Sequence, residues 1–253
     1  MKAMILAAGR GTRLYPLTRD IPKALVPLNG TPLLEMQLRR LRQCGFHEVI
    51  INIHHLGQQI IDFLKSRDDV GMKIMISDER DRLLDTGGAI KKAMSLLGDS
   101  EPVLIHNVDV VTSLDPGALL KRHLQSGALV TLCVQQRPSS RHFLFTDDDR
   151  LCGWRNQETG EEKKVTSGCI PLKQRAFSGI HAIGPGFYEK VSMHRCFPEK
   201  QDVFSIIDAY LCLAASEKVL GFDHSGSVWF DIGRDQQLKA AEKWLNMERP
   251  TES

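Results

Sequence analysis

The chain has 253 residues, 42% of them apolar and 25% charged, which suits a globular protein with one large buried core, or one core and a small appendage. Its net charge of +2 speaks against an electrostatic nucleic-acid binder, which would carry a strong basic stripe. No apolar run approaches the ~20 residues of a membrane span, and the chain enters an apolar strand at once, without a signal-peptide pattern.

The apolar run Ala3 to Ala8 predicts a buried parallel strand over 2–7. It breaks into the turn Gly9-Arg10-Gly11-Thr12-Arg13, and Lys23 follows across a proline-marked loop. A strand that delivers bare backbone and several cations to one place is a way of holding phosphates. The Walker pattern G-x-x-x-x-G-K-[ST] is absent. A dinucleotide fingerprint fails too, because Leu14 stands where its third glycine belongs. The second strand, 48–53, then ends in His54-His55-Leu56 where an acidic residue is wanted. A plain tight turn with two surface arginines stays open as the alternative.

Thr31 and Pro32 read as the cap and first turn of a helix over 32–44, which Gly45 ends. Further strands are expected at 72–77, 102–107 and 129–134, and helices at 57–66, 87–97 and 116–126. This alternation means βαβ units and a mostly parallel sheet covered on both faces. In such sheets ligands bind beyond the carboxyl ends of the strands, where the Gly9–Arg13 loop and Asp109 both fall.

After Val134 the rhythm changes. Short strands at 143–145 and 151–154 flank the acidic turn Asp147-Asp148-Asp149, read as a solvated hairpin tip. The polar stretch Asn156 to Lys173 reads as a hairpin tip or mobile loop. A core strand at 177–183, a helix at 203–215, strands at 218–222 and 227–230 and a helix from Asp235 to Leu245 follow, with a frayed tail at 248–253. No internal repeat is visible, and without a hexapeptide-repeat extension no acetyltransferase activity is expected. Six cysteines, at 44, 133, 152, 169, 196 and 212, form no C-x-x-C pair, so neither a zinc site nor a redox motif is suggested. Cys133 reads as an apolar filler, and a reducing cytoplasm is the expected location. The adjacent His54 and His55 point oppositely on a strand and make no metal site; Trp154, Trp229 and Trp244 read as core.

The run Leu6-Ala7-Ala8-Gly9-x-Gly11-Thr12-Arg13-Leu14-x-Pro16-Leu17-Thr18, with Pro22-Lys23-x-Leu25 beyond it, resembles the signature of the sugar-1-phosphate nucleotidyltransferases. Asp85-Thr86-Gly87-Gly88-Ala89-Ile90 resembles the family's second glycine turn. His106-Asn107-Val108-Asp109 resembles its metal-binding N-G-D, with Val108 in place of glycine. Phe177-Ser178-Gly179-Ile180 and Trp229-Phe230-Asp231-Ile232-Gly233 resemble its two late motifs. The short members that make UDP-N-acetylmuramic acid look closest, while mannose- and heptose-1-phosphate guanylyltransferases share most of the motifs.

The resemblance implies a Rossmann-like, doubly wound α/β fold of the GT-A-like nucleotidyltransferase kind, with a small β-rich sugar-binding insertion. It implies one domain over 1–247: a nucleotide half (1–134), a sugar-binding and metal-completing half (135–232) and a closing helix (233–247). The implied reaction joins a nucleoside triphosphate to a sugar 1-phosphate and releases pyrophosphate. UTP with N-acetylmuramate 1-phosphate comes first, and GTP with mannose- or heptose-1-phosphate is the near rival. A non-catalytic regulatory subunit that binds nucleotide sugars is a rival of another class, and an NAD-binding oxidoreductase a third. Arg13, Lys23 and Asp109 are the implied catalytic residues. Leu6, Ala8, Gly9, Gly11, Thr12, Ser77, Gly87 and Gly88 join Arg13 and Lys23 around the nucleotide. Asn107, Arg155 and Gly179 are the implied sugar contacts, and Asp109 with Asp231 the ligands of Mg²⁺. Relatives carry Glu-Lys-Pro where this chain has Arg155-Asn156-Gln157, so Arg155 is expected to favour an acidic sugar. Ser77 and Glu79 face the base and could serve uracil or guanine. Partners are small-molecule substrates, with no nucleic acid or membrane, and the chain is a monomer or a homodimer.

Overall fold

In the computed structural model, which describes residues 1–67, 71–168 and 170–248, the first half of the chain alternates strand and helix. It runs β1 (Lys2–Leu6), β2 (Pro27–Leu28), β3 (Thr31–Pro32), α1 (Leu33–Gln43), β4 (Glu48–Ile53), α2 (Gly57–Lys65), β5 (Lys73–Asp78), α3 (Asp85–Leu97), β6 (Val103–Asn107), β7 (Val110–Thr112) and α4 (Pro116–Ser126). The second half is richer in strands. It runs β8 (Val130–Gln135), β9 (Arg141–Phe145), β10 (Leu151–Asn156), β11 (Glu162–Lys164), β12 (Lys173–Ile183), α5 (Phe187–Met193), α6 (Ile206–Leu213), β13 (Val219–Asp223), β14 (Trp229–Asp231) and α7 (Asp235–Glu248).

β1 pairs in parallel with β4 and β6, and β5 pairs in parallel with β4. β12 then runs antiparallel between β6 and β8, and β13 pairs in parallel with β8. The central order is therefore β5-β4-β1-β6-β12-β8-β13, mixed and mostly parallel, as the sequence predicts. Strands covered on both faces read as continuous apolar runs, and β1 shows why. Its Met4 packs with Ile90, Ala93 and Tyr210 on one face. Ala3 and Ile5 pack with Leu38, Leu41 and Leu119 on the other. A third apolar cluster joins Leu14, Val26, Leu33 and Val111 to Ile232, Leu238 and Ala241. It ties the glycine loop, β14 and α7 into one unit. The N-terminal end of β12 also pairs with β9, from which β10 and β11 extend as an antiparallel layer. Among the described residues, no helix is long and apolar enough to cross a membrane.

Several elements differ from expectation for identifiable reasons. Asn29 and Gly30 adopt positive φ (50° and 78°) and form a tight hairpin between β2 and β3. Thr31 is spent in that hairpin, so α1 starts at Leu33 without a side-chain cap. Within the stretch expected to be loop, β11 pairs with β10, and β12 begins at Lys173 instead of 177. The seven-residue α5 was not expected: its first turn donates to the Asp99 carboxylate, far away in sequence. α6 starts at Ile206 because Ser205 caps it, its hydroxyl accepting from the Ile207 N–H. Cys133 is the buried filler expected of it, whereas Cys196 and Cys212 form a disulfide that the spacing of the cysteines did not announce. Cys152 is also disulfide-bonded. Cys169 and the expected tail beyond residue 248 lie outside the described residues.

Candidate active site

A cavity of about 610 Å³ opens beyond the carboxyl ends of β1, β4, β5 and β6. Its size suits a nucleotide-sized ligand, and its position is the one that open α/β sheets use. The glycine loop forms one wall. Gly11 has φ +67°, and a Cβ there would stand 3.0 Å from the Thr18 methyl and 3.1 Å from Lys23 Cβ. Only glycine fits both the conformation and the space. It starts a short 3-10 turn, Thr12–Leu14, that Thr18 braces by donating its hydroxyl to the Gly11 carbonyl at 2.7 Å. Leu14 anchors the turn in the third apolar cluster. Gly9 has open space where a side chain would stand, so a ligand can approach its backbone.

Opposite the loop, the Lys23 ammonium contacts the Asp109 carboxylate. Lys23 is buried and Asp109 half-buried. Asp109 extends from the end of β6, and Asp231 reaches it through the pairing of β14 with β7, which sets Asp231 against Val110. The Ile232 N–H donates to the Asp109 carbonyl at 2.8 Å and fixes the approach. Two residues 122 positions apart are thus held together by a short antiparallel ladder. Burial, and then the Asp109 charge, push the Asp231 carboxyl above the ordinary carboxylate range, against the pull of Lys23, Arg13 and Arg137. Asp231 Oδ1 is buried and has no hydrogen-bond partner among the described residues. Arg13 stands 3.9 Å from Asp231 with its side chain 58% exposed, free to turn toward a ligand.

The far wall carries a buried polar relay. Asn52 accepts from the Ala7 N–H at 2.7 Å and donates to Glu79 at 2.9 Å, and the Leu84 N–H donates to the other Glu79 oxygen at 3.3 Å. Burial raises the Glu79 carboxyl above its usual range. The extended segment 202–204 crosses the start of α3 and sends Val203 into the cavity wall.

The cavity brings together Leu6, Ala8, Gly9, Gly11, Thr12, Arg13, Lys23, Asn107 and Asp109 from the expected set. The remaining expected residues sit elsewhere. Ser77 is buried in β5, its hydroxyl unpartnered among the described residues. Gly87 and Gly88 lie beneath the crossing segment, where their N–H groups donate to the Phe204 carbonyl at 2.9 and 3.4 Å. Gly179, at φ +73°, forms part of a bulge in β12 and packs on the Asn107 amide. Arg155 is paired with Glu162 and does not reach the cavity lining. Arg10, the second cation of the expected phosphate loop, lines the cavity as well, and Asn52 and Val203 line it without having been singled out from sequence. Asn52 had a legible signal, as the one polar residue inside Val49-Ile50-Ile51-Asn52-Ile53. Val203 had none. Among the described residues, no group of three or more His, Cys, Asp or Glu forms a metal cage, and the His54-His55 pair stays outside any such cluster.

The nucleotidyl transferase family profile matches residues 2–247. The chain is 32% identical to an N-acetylmuramate alpha-1-phosphate uridylyltransferase from Caulobacter vibrioides, over 96% of each chain. It is 29% identical to the catalytic subunit beta of a mannose-1-phosphate guanylyltransferase from Danio rerio, covering 94% of this chain and 62% of that protein. A Bacillus anthracis protein assigned as a glucose-1-phosphate thymidylyltransferase, solved with sucrose, superposes with a TM-score of 0.81. Its identity is 18%, over 100% of this chain and 98% of that one.

Proposed function

The chain belongs to the nucleotidyl transferase family, and we propose that it transfers UMP from UTP to N-acetylmuramate 1-phosphate, releasing pyrophosphate. The observation that carries the reading is the convergence of Arg13, Lys23, Asp109 and Asp231 beside a nucleotide-sized cavity. Similarity to the Caulobacter uridylyltransferase along 96% of both chains supports the choice of substrates.

An oxygen of the sugar phosphate bonds to the α-phosphorus, the bond from that phosphorus to the bridging oxygen of the β-phosphate breaks, and the electron pair leaves with pyrophosphate. Both reactants are anions, so position and charge neutralisation do most of the work. Lys23 is buried at the reacting centre as a point charge, and Arg13 can fork onto the leaving phosphates. Leu6, Ala8, Gly9, Gly11 and Thr12 present backbone to the nucleotide, with Asn52 and Glu79 behind the base. No side chain is needed as a covalent nucleophile.

Asp109 and Asp231 suit a hard divalent cation such as Mg²⁺. The charge of one carboxylate raises the pKa of the other, and Asp231 Oδ1 is buried without a partner. Bound there, Mg²⁺ would neutralise charge between the two phosphate compounds.

A second reading, GTP with mannose- or heptose-1-phosphate, draws support from the similarity to the Danio guanylyltransferase. One assay separates the readings: pyrophosphate release with Mg²⁺, crossing UTP, GTP, CTP, dTTP and ATP with N-acetylmuramate-, mannose-, glucose- and heptose-1-phosphate. Turnover led by UTP and the muramate phosphate is the expected result. A lead for GTP with mannose- or heptose-1-phosphate supports the second reading. Nucleotide binding without release in any pair overturns both and leaves a regulatory subunit.

A further inference from the structure

Arg137 stands just past the end of β8, whose last residue is Gln135. β8 runs in the same direction as β6, since β12 is antiparallel to both, so Arg137 emerges at the sheet edge where Asn107 and Asp109 stand. Its guanidinium lies 3.7 Å from the ring centre of Trp229. That ring is itself fixed, because Trp229 Nε1 donates to the Ser178 carbonyl at 2.9 Å. Arg137 Nη2 donates to the Phe177 carbonyl at 2.8 Å. The arginine is thereby tied to the β12 bulge whose Gly179 packs on Asn107.

The charge of Arg137 acts on Asp231 from a distance, but among the described residues Arg137 forms no ion pair. A guanidinium has five donor hydrogens. Here the acceptors are the Phe177 carbonyl and, at 3.5 Å, the Pro138 carbonyl, while Nε is buried without a partner among the described residues. No carboxylate lies within ion-pair distance of it among those residues. Arg175 on β12, the strand beside β8, and Arg155 on β10 are each held by a carboxylate, Asp223 and Glu162. Keeping a half-buried guanidinium unpaired is unfavourable unless an anion arrives.

Resting on the transferase reading above, we infer that Arg137, stacked on Trp229, is the specificity-determining residue that binds a carboxylate on the sugar of the acceptor. Spacing decides against the acceptor's own phosphate. Trp229, on which Arg137 stacks, and Asp231 are two residues, about 7 Å, apart on one face of β14, so Arg137 stands beside the reacting carboxylates without pairing with them. A sugar whose phosphate sits at Asp109 and Asp231 places its ring across that gap and a substituent at Arg137. A carboxylate there can take two parallel hydrogen bonds from the fork. Neither Arg155 nor Arg137 lines the cavity itself; the acid-reading role is assigned to Arg137 because Arg155 is already paired with Glu162 whereas Arg137 has no ion pair among the described residues.

The test is calorimetric titration with N-acetylmuramate 1-phosphate and N-acetylglucosamine 1-phosphate, which differ by the 3-O-lactyl substituent that carries the carboxylate. It is run with Mg²⁺ and a non-hydrolysable analogue of UTP, then of GTP. The unaltered protein is expected to bind the acidic sugar about tenfold tighter or more. Arg137→Gln collapses that ratio toward one, and Arg137→Lys keeps part of it. Equal binding of the two sugars by the unaltered protein, binding of neither, or a margin that survives Arg137→Gln overturns the inference. Should Arg137→Gln fail to fold, the ratio in the unaltered protein and in Arg137→Lys decides. Because the readout is binding, it stands apart from turnover. An acidic margin without pyrophosphate release defeats the transferase reading alone, whereas release with UTP and an unaffected margin in Arg137→Gln defeats the role of Arg137 alone.

Discussion

Lys23 is the residue on which the proposed chemistry leans most heavily. It is 6% exposed, and among the described residues its ion pair is with Asp109. A lysine removed from water is stable as a cation only beside anions, and the proposed substrates bring several more. Lys23→Met keeps the aliphatic stem and removes the charge. The expected outcome is a fall in kcat of about 100-fold or more, the scale seen when a preorganised charge-stabilising group is lost. Arg13 is much more exposed, so Arg13→Met should act more on pyrophosphate affinity than on the fold. Steady-state kinetics in both directions would separate the two. A Lys23→Met enzyme within a few-fold of the unaltered rate would remove Lys23 from the reacting centre.

At the scale of elements, the segment 202–204 explains the glycines at the start of α3. A Cβ on Gly88 would lie 2.0 Å from the Asp202 carbonyl oxygen, and one on Gly87 would lie 2.4 Å from the Phe204 ring. These glycines let one chain segment lie on another, and that segment in turn carries Val203 into the cavity. Gly88→Ala should cost about 1–3 kcal/mol, as overpacking does, and raise KM for the nucleotide more than it lowers kcat. Urea unfolding and initial rates on one preparation would check both halves; an unchanged midpoint would refute the packing argument. The same segment lies inside the loop closed by the Cys196–Cys212 disulfide, whose cysteines are 16 positions apart. Closing a loop of that length contributes about 3 kcal/mol in the chain-entropy account. The Cys196→Ser, Cys212→Ser double variant should lose roughly 2–4 kcal/mol in a denaturant titration, and a loss well under 1 kcal/mol would show that the bridge adds little.

For the whole molecule, the first half was legible because its signals are local. Apolar runs such as Ala3 to Ala8 and capped helices such as 116–126 announce themselves within a dozen residues. The glycine loop and Asp109 were legible for the same reason, as strand ends with bare or charged residues, whereas Lys23 was legible only through the loop motif that it closes. Contacts between distant segments were not: Asp99 capping α5, Trp229 beneath Arg137, Phe204 over Gly87 and the pairing of β11 are set by tertiary packing.

Burial of histidines is equally nonlocal, and it sets the acid response of the fold. His106, His123, His181 and His224 are buried, and desolvation lowers His181 from the ordinary 6.5 to about 3 and the other three to about 4. Both ring nitrogens of His181 lack hydrogen-bond partners among the described residues, and the ring sits against Phe177 and Tyr210. A histidine whose folded pKa lies below its unfolded value stabilises fully above about pH 6.5. As pH falls from there toward 4 and 3, the unfolded chain takes up protons that the folded chain refuses, and stability is lost. Glu79, raised by burial, titrates in the opposite sense and offsets part of the loss. The net expectation is a stability several kcal/mol lower at pH 5 than at pH 7, about 2 kcal/mol for each of the four imidazoles before the offset from Glu79. His181→Leu should flatten the pH dependence by about a quarter, since one of the four buried, depressed imidazoles is gone. Urea titrations of both proteins at the two pH values give the answer: equal stability at pH 5 and 7 in the unaltered protein would mean that these imidazoles accept protons in place, and that the core around β6 and β12 is wetter than its packing indicates.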